Sequence, residues 1–149
     1  MAYFRTVIFT LMLSATAACS YIPFSGGALT GTPTPPPANW RTVGDVAIIQ
    51  LETRPSDPYS VKLWIVAEET HLYVFAGDNH SQWAQNLDAD PDARLQIEDK
   101  VYELAARQIT DQQEFSGFAD AWLEKYGSDH TETNVDDVYL YRLTPRQSR

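Results

Sequence analysis

Hydrophobic and polar positions change their period along this chain, and the changes mark its elements. Residues 46–52, 61–67 and 71–76 are β-branched, aromatic or alternating runs. They are separated by the turn-rich Arg54-Pro55-Ser56-Asp57-Pro58-Tyr59 and by Glu68-Glu69, which predicts three successive antiparallel strands. Leu95 and Ile97 then alternate with Gln96 and Glu98, a turn falls at Glu98-Asp99-Lys100, and Tyr102, Leu104 and Ala106 alternate with Glu103 and Ala105. That is a hairpin with one buried face. Residues 138–143 give a last strand before Pro145.

Two stretches follow the helical period instead. Phe115, Phe118, Ala119, Trp122, Leu123 and Tyr126 share one helix face, opened by Thr110-Asp111-Gln112-Gln113 in the manner of a capping box and stopped by Gly127. A shorter helix starts near Ser81 and ends before Asp90-Pro91. The count is six strands and two helices, a mainly β chain of the α+β class. A six-stranded antiparallel sheet closed into a barrel removes its exposed edges, and an open α+β sheet is the alternative.

The first 39 residues have neither period. Residues 1–18 carry one base, Arg5, an apolar run over residues 7–13, and small residues up to Cys19. The run is shorter than the roughly 20 residues a bilayer-spanning helix needs, so it reads as a signal peptide. Ala17-Ala18-Cys19 resembles a bacterial lipobox, which implies lipidation of Cys19, acylation of the new N-terminus and anchoring in the membrane. Ser20, rather than Asp, after the Cys points to the outer membrane of a Gram-negative cell, facing the periplasm. Residues 19–39 hold Gly26-Gly27, Gly31 and Pro35-Pro36-Pro37, and read as a tether with little to bury. Tyr21-Ile22-Pro23-Phe24 can sit at the membrane interface or against the domain. Residues 40–145 form the one folded domain and 146–149 a tail.

Charge narrows the function. Twenty acids against 11 bases give a formal charge of −9, with no cluster of Lys and Arg to neutralise phosphates, so nucleic acid is excluded as a partner. The single Cys leaves no disulfide, zinc cluster or cysteine nucleophile in the domain. His71, His80 and His130 show no metal-binding spacing, and no Ser/His/Asp order carries a nucleophile elbow. Trp64, Trp122, Tyr139 and Tyr141 read as core aromatics.

The unit at residues 72–104 carries a resemblance. Tyr73-Val74-Phe75-Ala76-Gly77, Ser81-Gln82-Trp83, Asn86-Leu87 and Asp90-Pro91, with the later hairpin, helix and final strand, resemble the split β-barrel superfamily. That superfamily includes pyridoxamine-phosphate-oxidase-like flavoproteins and deazaflavin-dependent nitroreductases. The resemblance implies an FMN or deazaflavin cofactor held at Lys62, Trp64, Ser81, Gln82 and Trp83, and a homodimer. Trp83 matches the nitroreductase-like members, whereas the oxidase-like members usually carry Lys there. No base lies between Lys62 and Arg94 to meet a cofactor phosphate, and export with a single Arg5 delivers an unfolded, empty chain. The function expected from the sequence is therefore an envelope-anchored lipoprotein whose split barrel is a ligand-binding or accessory module without catalysis. A flavin- or deazaflavin-dependent oxidoreductase is the alternative.

Overall fold

The computed structural model describes residues 26–128 and 132–147. The signal peptide, Cys19 and His130 lie outside the described residues. Seven strands are present: β1 (Thr32–Pro33), β2 (Ile48–Thr53), β3 (Tyr59–Ala67), β4 (Leu72–Phe75), β5 (Asp92–Ile97), β6 (Lys100–Gln108) and β7 (Leu140–Pro145). Helix α1 (Gln82–Ala89) joins β4 to β5, and α2 (Gln112–Tyr126) joins β6 towards β7.

The sheet order is β6-β5-β2-β3-β4-β7, and a further β6–β7 pairing closes it into an antiparallel six-stranded barrel. The alternating positions fill its interior: Leu51, Ile65, Leu72, Val74, Leu95, Leu104 and Leu143 are fully buried. Trp40, in a short 3-10 turn ahead of β2, plugs one end edge-on against Tyr102 at 5.1 Å. A second core lies outside the barrel wall, where Phe115, Phe118 and Trp122 of α2 cover Val66, Tyr73 and Leu140.

The capping of α2 is shifted by one residue from the expected box. Asp111 is the N-cap, and its carboxylate accepts the Glu114 N–H at 2.8 Å. The Glu114 carboxylate does not reach back to the cap; it accepts from the Tyr73 hydroxyl and the Arg142 guanidinium, both at 2.9 Å. Leu123, expected on the buried face, is exposed.

The Gly/Pro-rich segment departs most from expectation. From Gly26 on it is laid against the barrel. Gly26 and Ser60 exchange both backbone hydrogen bonds, at 2.7 and 2.8 Å. Leu29 is buried, and its N–H donates to Glu52 Oε2 at 2.6 Å. β1 then runs parallel to the start of β6, Thr32 beside Lys100 and Pro33 beside Val101. Gly31 is needed there, because a Cβ would sit 2.5 Å from the Asp99 carbonyl. Glu52, fully buried under this strap, receives two hydrogen bonds from Arg94, at 2.7 and 2.6 Å. Burial of the carboxylate is tolerable because both its oxygens meet donors, one of them charged.

The barrel is split on one side. The β3–β4 ladder covers only Ile65–Ala67 of β3, so the stretch from Tyr59 to Trp64 lacks a β4 partner. α1 covers the gap from inside, with Trp83, Ala84 and Leu87 buried in the barrel core.

Candidate cofactor site

The split opens into a groove of about 530 Å³. β3 contributes Lys62, Leu63 and Trp64 to its rim, the end of β4 and the following turn contribute Phe75 to Gly77, and Ser81 and Trp83 come from the start of α1. Gly77 makes the turn possible: its φ is +57°, and a Cβ would lie 3.3 Å from Glu132.

Aromatic rings dominate the walls. Trp64 leaves over half of its surface exposed (53%), stacked on Tyr126 at 5.5 Å and tilted against Trp122 at 5.6 Å. Tyr126 is fixed by bonds between its hydroxyl and both the N–H and the C=O of Ile65, and burial raises its pKa above the ordinary tyrosine value. The neighbouring Lys125 donates to the carbonyls of Gly44, Val46 and Ile65, and desolvation lowers its pKa. Trp83, nearly buried, packs edge-on to Tyr141 at 5.5 Å. Such an array of flat apolar faces suits a planar conjugated ring.

The polar groups converge from the other side. Ser81 is the N-cap of α1, yet its side chain makes no capping bond, and its Oγ is buried without a partner among the described residues. The first amide of the helix region bonded to the Ser81 carbonyl is that of Gln85. The N–H groups of Gln82, Trp83 and Ala84 are therefore the orphan donors of a helix N-terminus, which favour an anion. Lys62 forms no salt bridge with a described residue, and none of the groove-lining residues is acidic. The Glu132 carboxylate does stand beside the Gly77 turn at its edge.

The base of α1 is braced by a separate network. Asp88 lies 2.8 Å from His80 Nε2 and accepts the Tyr141 hydroxyl at 2.6 Å. The His80 ring stacks on Tyr139 at 4.2 Å, and Gln85 Nε2 donates to the His80 carbonyl at 2.7 Å. Burial and the Asp88 bond push the Tyr141 hydroxyl well above the ordinary tyrosine value, so it stays a donor. His80 thus pairs with Asp88.

Of the five residues singled out from sequence, Lys62, Trp64, Ser81 and Trp83 meet in this groove. Gln82 does not: it is exposed, and its side chain bonds along α1 to Asn86 at 3.0 Å. Trp64 is a wall of the groove and not the core residue its hydrophobicity suggested. Phe75, Asn79 and Trp122 also line it. Asn79 was legible as part of the loop after β4, but Trp122 reads in sequence as one of a helix's buried positions. Nothing local shows that its ring reaches past the core.

The profile of a family described as F420H2-dependent quinone reductase matches residues 54–136, more than half of the chain and the whole of the groove. The chain belongs to this family of oxidoreductases. No curated protein matches it. Among solved structures it is similar to a protein from Bacteroides thetaiotaomicron assigned to 5-nitroimidazole antibiotic resistance (TM-score 0.58, 13% identity, covering 72% of this chain and 78% of that one). It is also similar to an F420-H2-dependent reductase (TM-score 0.52, 19% identity, 65% and 93%) and to a chain described as a domain-swapped dimer (TM-score 0.52, 19% identity, 65% and 79%). At these identities the structural likenesses establish the split-barrel fold.

The family corrects the expected function. A non-catalytic accessory module is overturned, and the oxidoreductase alternative takes its place. An anion site needs no run of bases along the chain, only a lysine beside aimed N–H and O–H donors, and the groove holds Lys62 and the uncapped start of α1. The family points to a deazaflavin or flavin as the cofactor.

Proposed function

We propose that this chain is a reductase that holds a deazaflavin of the F420 type in the groove at the barrel split and delivers reducing equivalents to a quinone. The observation that carries the reading is the buried Ser81 Oγ at the uncapped start of α1, without a partner among the described residues, in a groove that also holds Lys62 and a wall of indole rings. A cofactor with a phosphate and a planar ring answers both halves of that arrangement. When bound, the reduced cofactor supplies a hydride, and the quinone takes up one further proton to become the hydroquinone.

The chain's own residues bind and orient. Ser81 Oγ and the N–H groups of Gln82 and Trp83 would hold phosphate oxygens, with Lys62 neutralising charge from across the groove. Trp64, backed by Trp122 and Tyr126, would bear on one face of the ring. Trp83, held edge-on by Tyr141, forms the floor. The open mouth admits water, so solvent can supply that one proton.

The lipobox resemblance at Cys19 supports a place on the envelope, with lipid anchoring in the outer membrane. Loading with cofactor then follows export, through a groove that is open to solvent. The dimeric neighbour supports a homodimer as the working assembly.

The test is steady-state turnover of reduced F420 with a water-soluble benzoquinone. Turnover is expected, and Lys62→Gln should raise KM for the cofactor about tenfold, the loss of one charge-assisted contact, with a smaller change in kcat. A chain that oxidises neither reduced F420 nor reduced FMN contradicts the proposal.

A further inference from the structure

The ladder between β2 and β3 stops at the pair Ile48 and Trp64, and the ladder between β3 and β4 begins at Ile65. The next β2–β3 rung would join Ala47 to Ile65, and the last turn of α2 takes its place. The Tyr126 hydroxyl accepts the Ile65 N–H at 3.2 Å and lies within donating distance of two carbonyls, Ile65 at 2.7 Å and Ala47 at 3.1 Å. Lys125 extends the same stitch. Its ammonium donates to the carbonyls of Gly44 at 2.9 Å, Val46 at 2.8 Å and Ile65 at 3.0 Å.

A lysine in the last turn of a helix ordinarily stays in water and complements the helix dipole, because ordering its long stem is entropically unfavourable. Here all three N–H donors are fixed on carbonyls, and the charge strengthens each bond. The part of the molecule they hold is the groove wall. Trp64, the residue before Ile65, stacks on the Tyr126 ring at 5.5 Å and meets Trp122 at 5.6 Å. Trp122 lies one helical turn before Tyr126, with the two rings 4.6 Å apart. The other end of α2 is tied separately, by the Asp111 cap and by Glu114 on Tyr73 and Arg142. The angle of the last turn against β3 is therefore set at Lys125 and Tyr126.

The same turn separates the groove from a second cavity, of about 610 Å³. Trp122 and Trp64 line the groove, whereas Ala121, Lys125 and Val66 line the cavity. Asp45, Glu68 and Glu124 also line the cavity, and Arg41 is the base there besides Lys125. With the lysine cut back, three carboxylates face one guanidinium, so a small ammonium ion is drawn towards the carbonyls that Lys125 has left.

We propose that Lys125 is a positioning residue of the groove: its ammonium, on the carbonyls of Gly44, Val46 and Ile65, fixes the last turn of α2 between β2 and β3 and so sets the Trp64 ring that the cofactor meets. The effect on the cofactor rests on the reading of the groove as a cofactor site; the positioning of the rings does not.

The experiment compares the purified chain with Lys125→Ala and with Lys125→Met, which keeps the apolar stem and lacks the donors. Cooperative unfolding in urea checks the fold, and Lys125→Met is read alone should Lys125→Ala unfold. Circular dichroism is read first, without cofactor. The neighbouring indoles of Trp64 and Trp122 should give an exciton couplet, which Trp64→Phe identifies by removing it. A chain with no couplet of that origin lacks the stacked wall and overturns the proposal. The couplet should fall several-fold in both Lys125 variants. In Lys125→Ala, n-propylammonium, which replaces the missing part of the side chain, should restore it, and uncharged n-propanol should not. An unchanged couplet in a folded variant overturns the proposal however much stability is lost, since Lys125 then only stabilises. Restoration by both additives, or by neither, overturns it too. FMN and F420 titrations are read second. Kd should rise several-fold in Lys125→Ala and return with n-propylammonium, and equal Kd values overturn the effect on the cofactor. A chain that binds neither cofactor sinks the function proposed above while leaving the couplet to judge the positioning.

Discussion

Glu52 shows how much a single side chain can hold together here. Its carboxylate is closed off from water and is met by Arg94 from β5 and by the Leu29 N–H from the strap. Removing the arginine leaves a buried charge with one donor. Arg94→Ala should cost about 3 kcal/mol in urea denaturation, the scale of a broken buried pair, and should loosen the strap, whereas Glu52→Gln keeps an acceptor for Leu29 and should cost less. A loss below about 0.5 kcal/mol, the range of ordinary surface changes, contradicts this account. The pair was not legible beforehand. Glu52 and Arg94 are 42 residues apart in sequence, and each looks like the polar half of an alternating strand.

His71 carries a second prediction at the same scale. Burial, followed by the charge of Arg142, lowers its pKa below the ordinary value of 6.5, while Glu114 and Glu68 pull in the other direction. The unfolded chain takes up this proton near pH 6.5 and the folded chain resists it. The stabilisation from keeping His71 neutral is therefore full above that pH and is lost as the pH falls through it towards the lower folded value. The thermal midpoint should drop between pH 7 and pH 5, with a shallower drop in His71→Asn. Equal slopes in the two proteins would show that His71 titrates no differently in the folded state.

The two helices differ at their N-termini. Asp111 caps α2, so Asp111→Ala should cost about 1 kcal/mol with no effect on cofactor binding. Ser81 occupies the same position in α1 without capping it. Ser81→Ala should leave stability within about 0.5 kcal/mol and weaken cofactor binding several-fold; a large stability loss would return Ser81 to an ordinary capping role. Both helices were legible in sequence from their apolar spacing, their turn residues and Pro91. The shift of the α2 cap from Thr110 to Asp111 was not, because adjacent residues both have capping side chains. β1 was hidden as well: two residues in a Gly/Pro-rich segment carry no period, and only the unpaired side of β6 makes them a strand.

For the molecule as a whole, closure of the six strands was one of the two outcomes that the strand order allowed, the split barrel came from the resemblance carried by residues 72–104, and the place of the split is seen only in the short β3–β4 ladder. The site itself was legible in part. Lys62, Trp64, Ser81 and Trp83 came from a resemblance that the groove then brought into one place. Trp122 and Phe75 came only from the packing of α2 on the barrel wall. The absence of a base between Lys62 and Arg94 argued against a phosphate-bearing cofactor, but the fold sets Lys62 itself in the same groove as the uncapped start of α1.

The central claim is that this groove holds a deazaflavin or flavin, and the most direct measurement is an equilibrium titration of the purified chain with F420 and with FMN, following cofactor fluorescence. Saturable, one-to-one binding of at least one of them is predicted, weakened about tenfold or more by Trp83→Ala, which removes the floor of the groove. No saturable binding of either, or the same affinity after Trp83→Ala in a protein that remains folded, would contradict it.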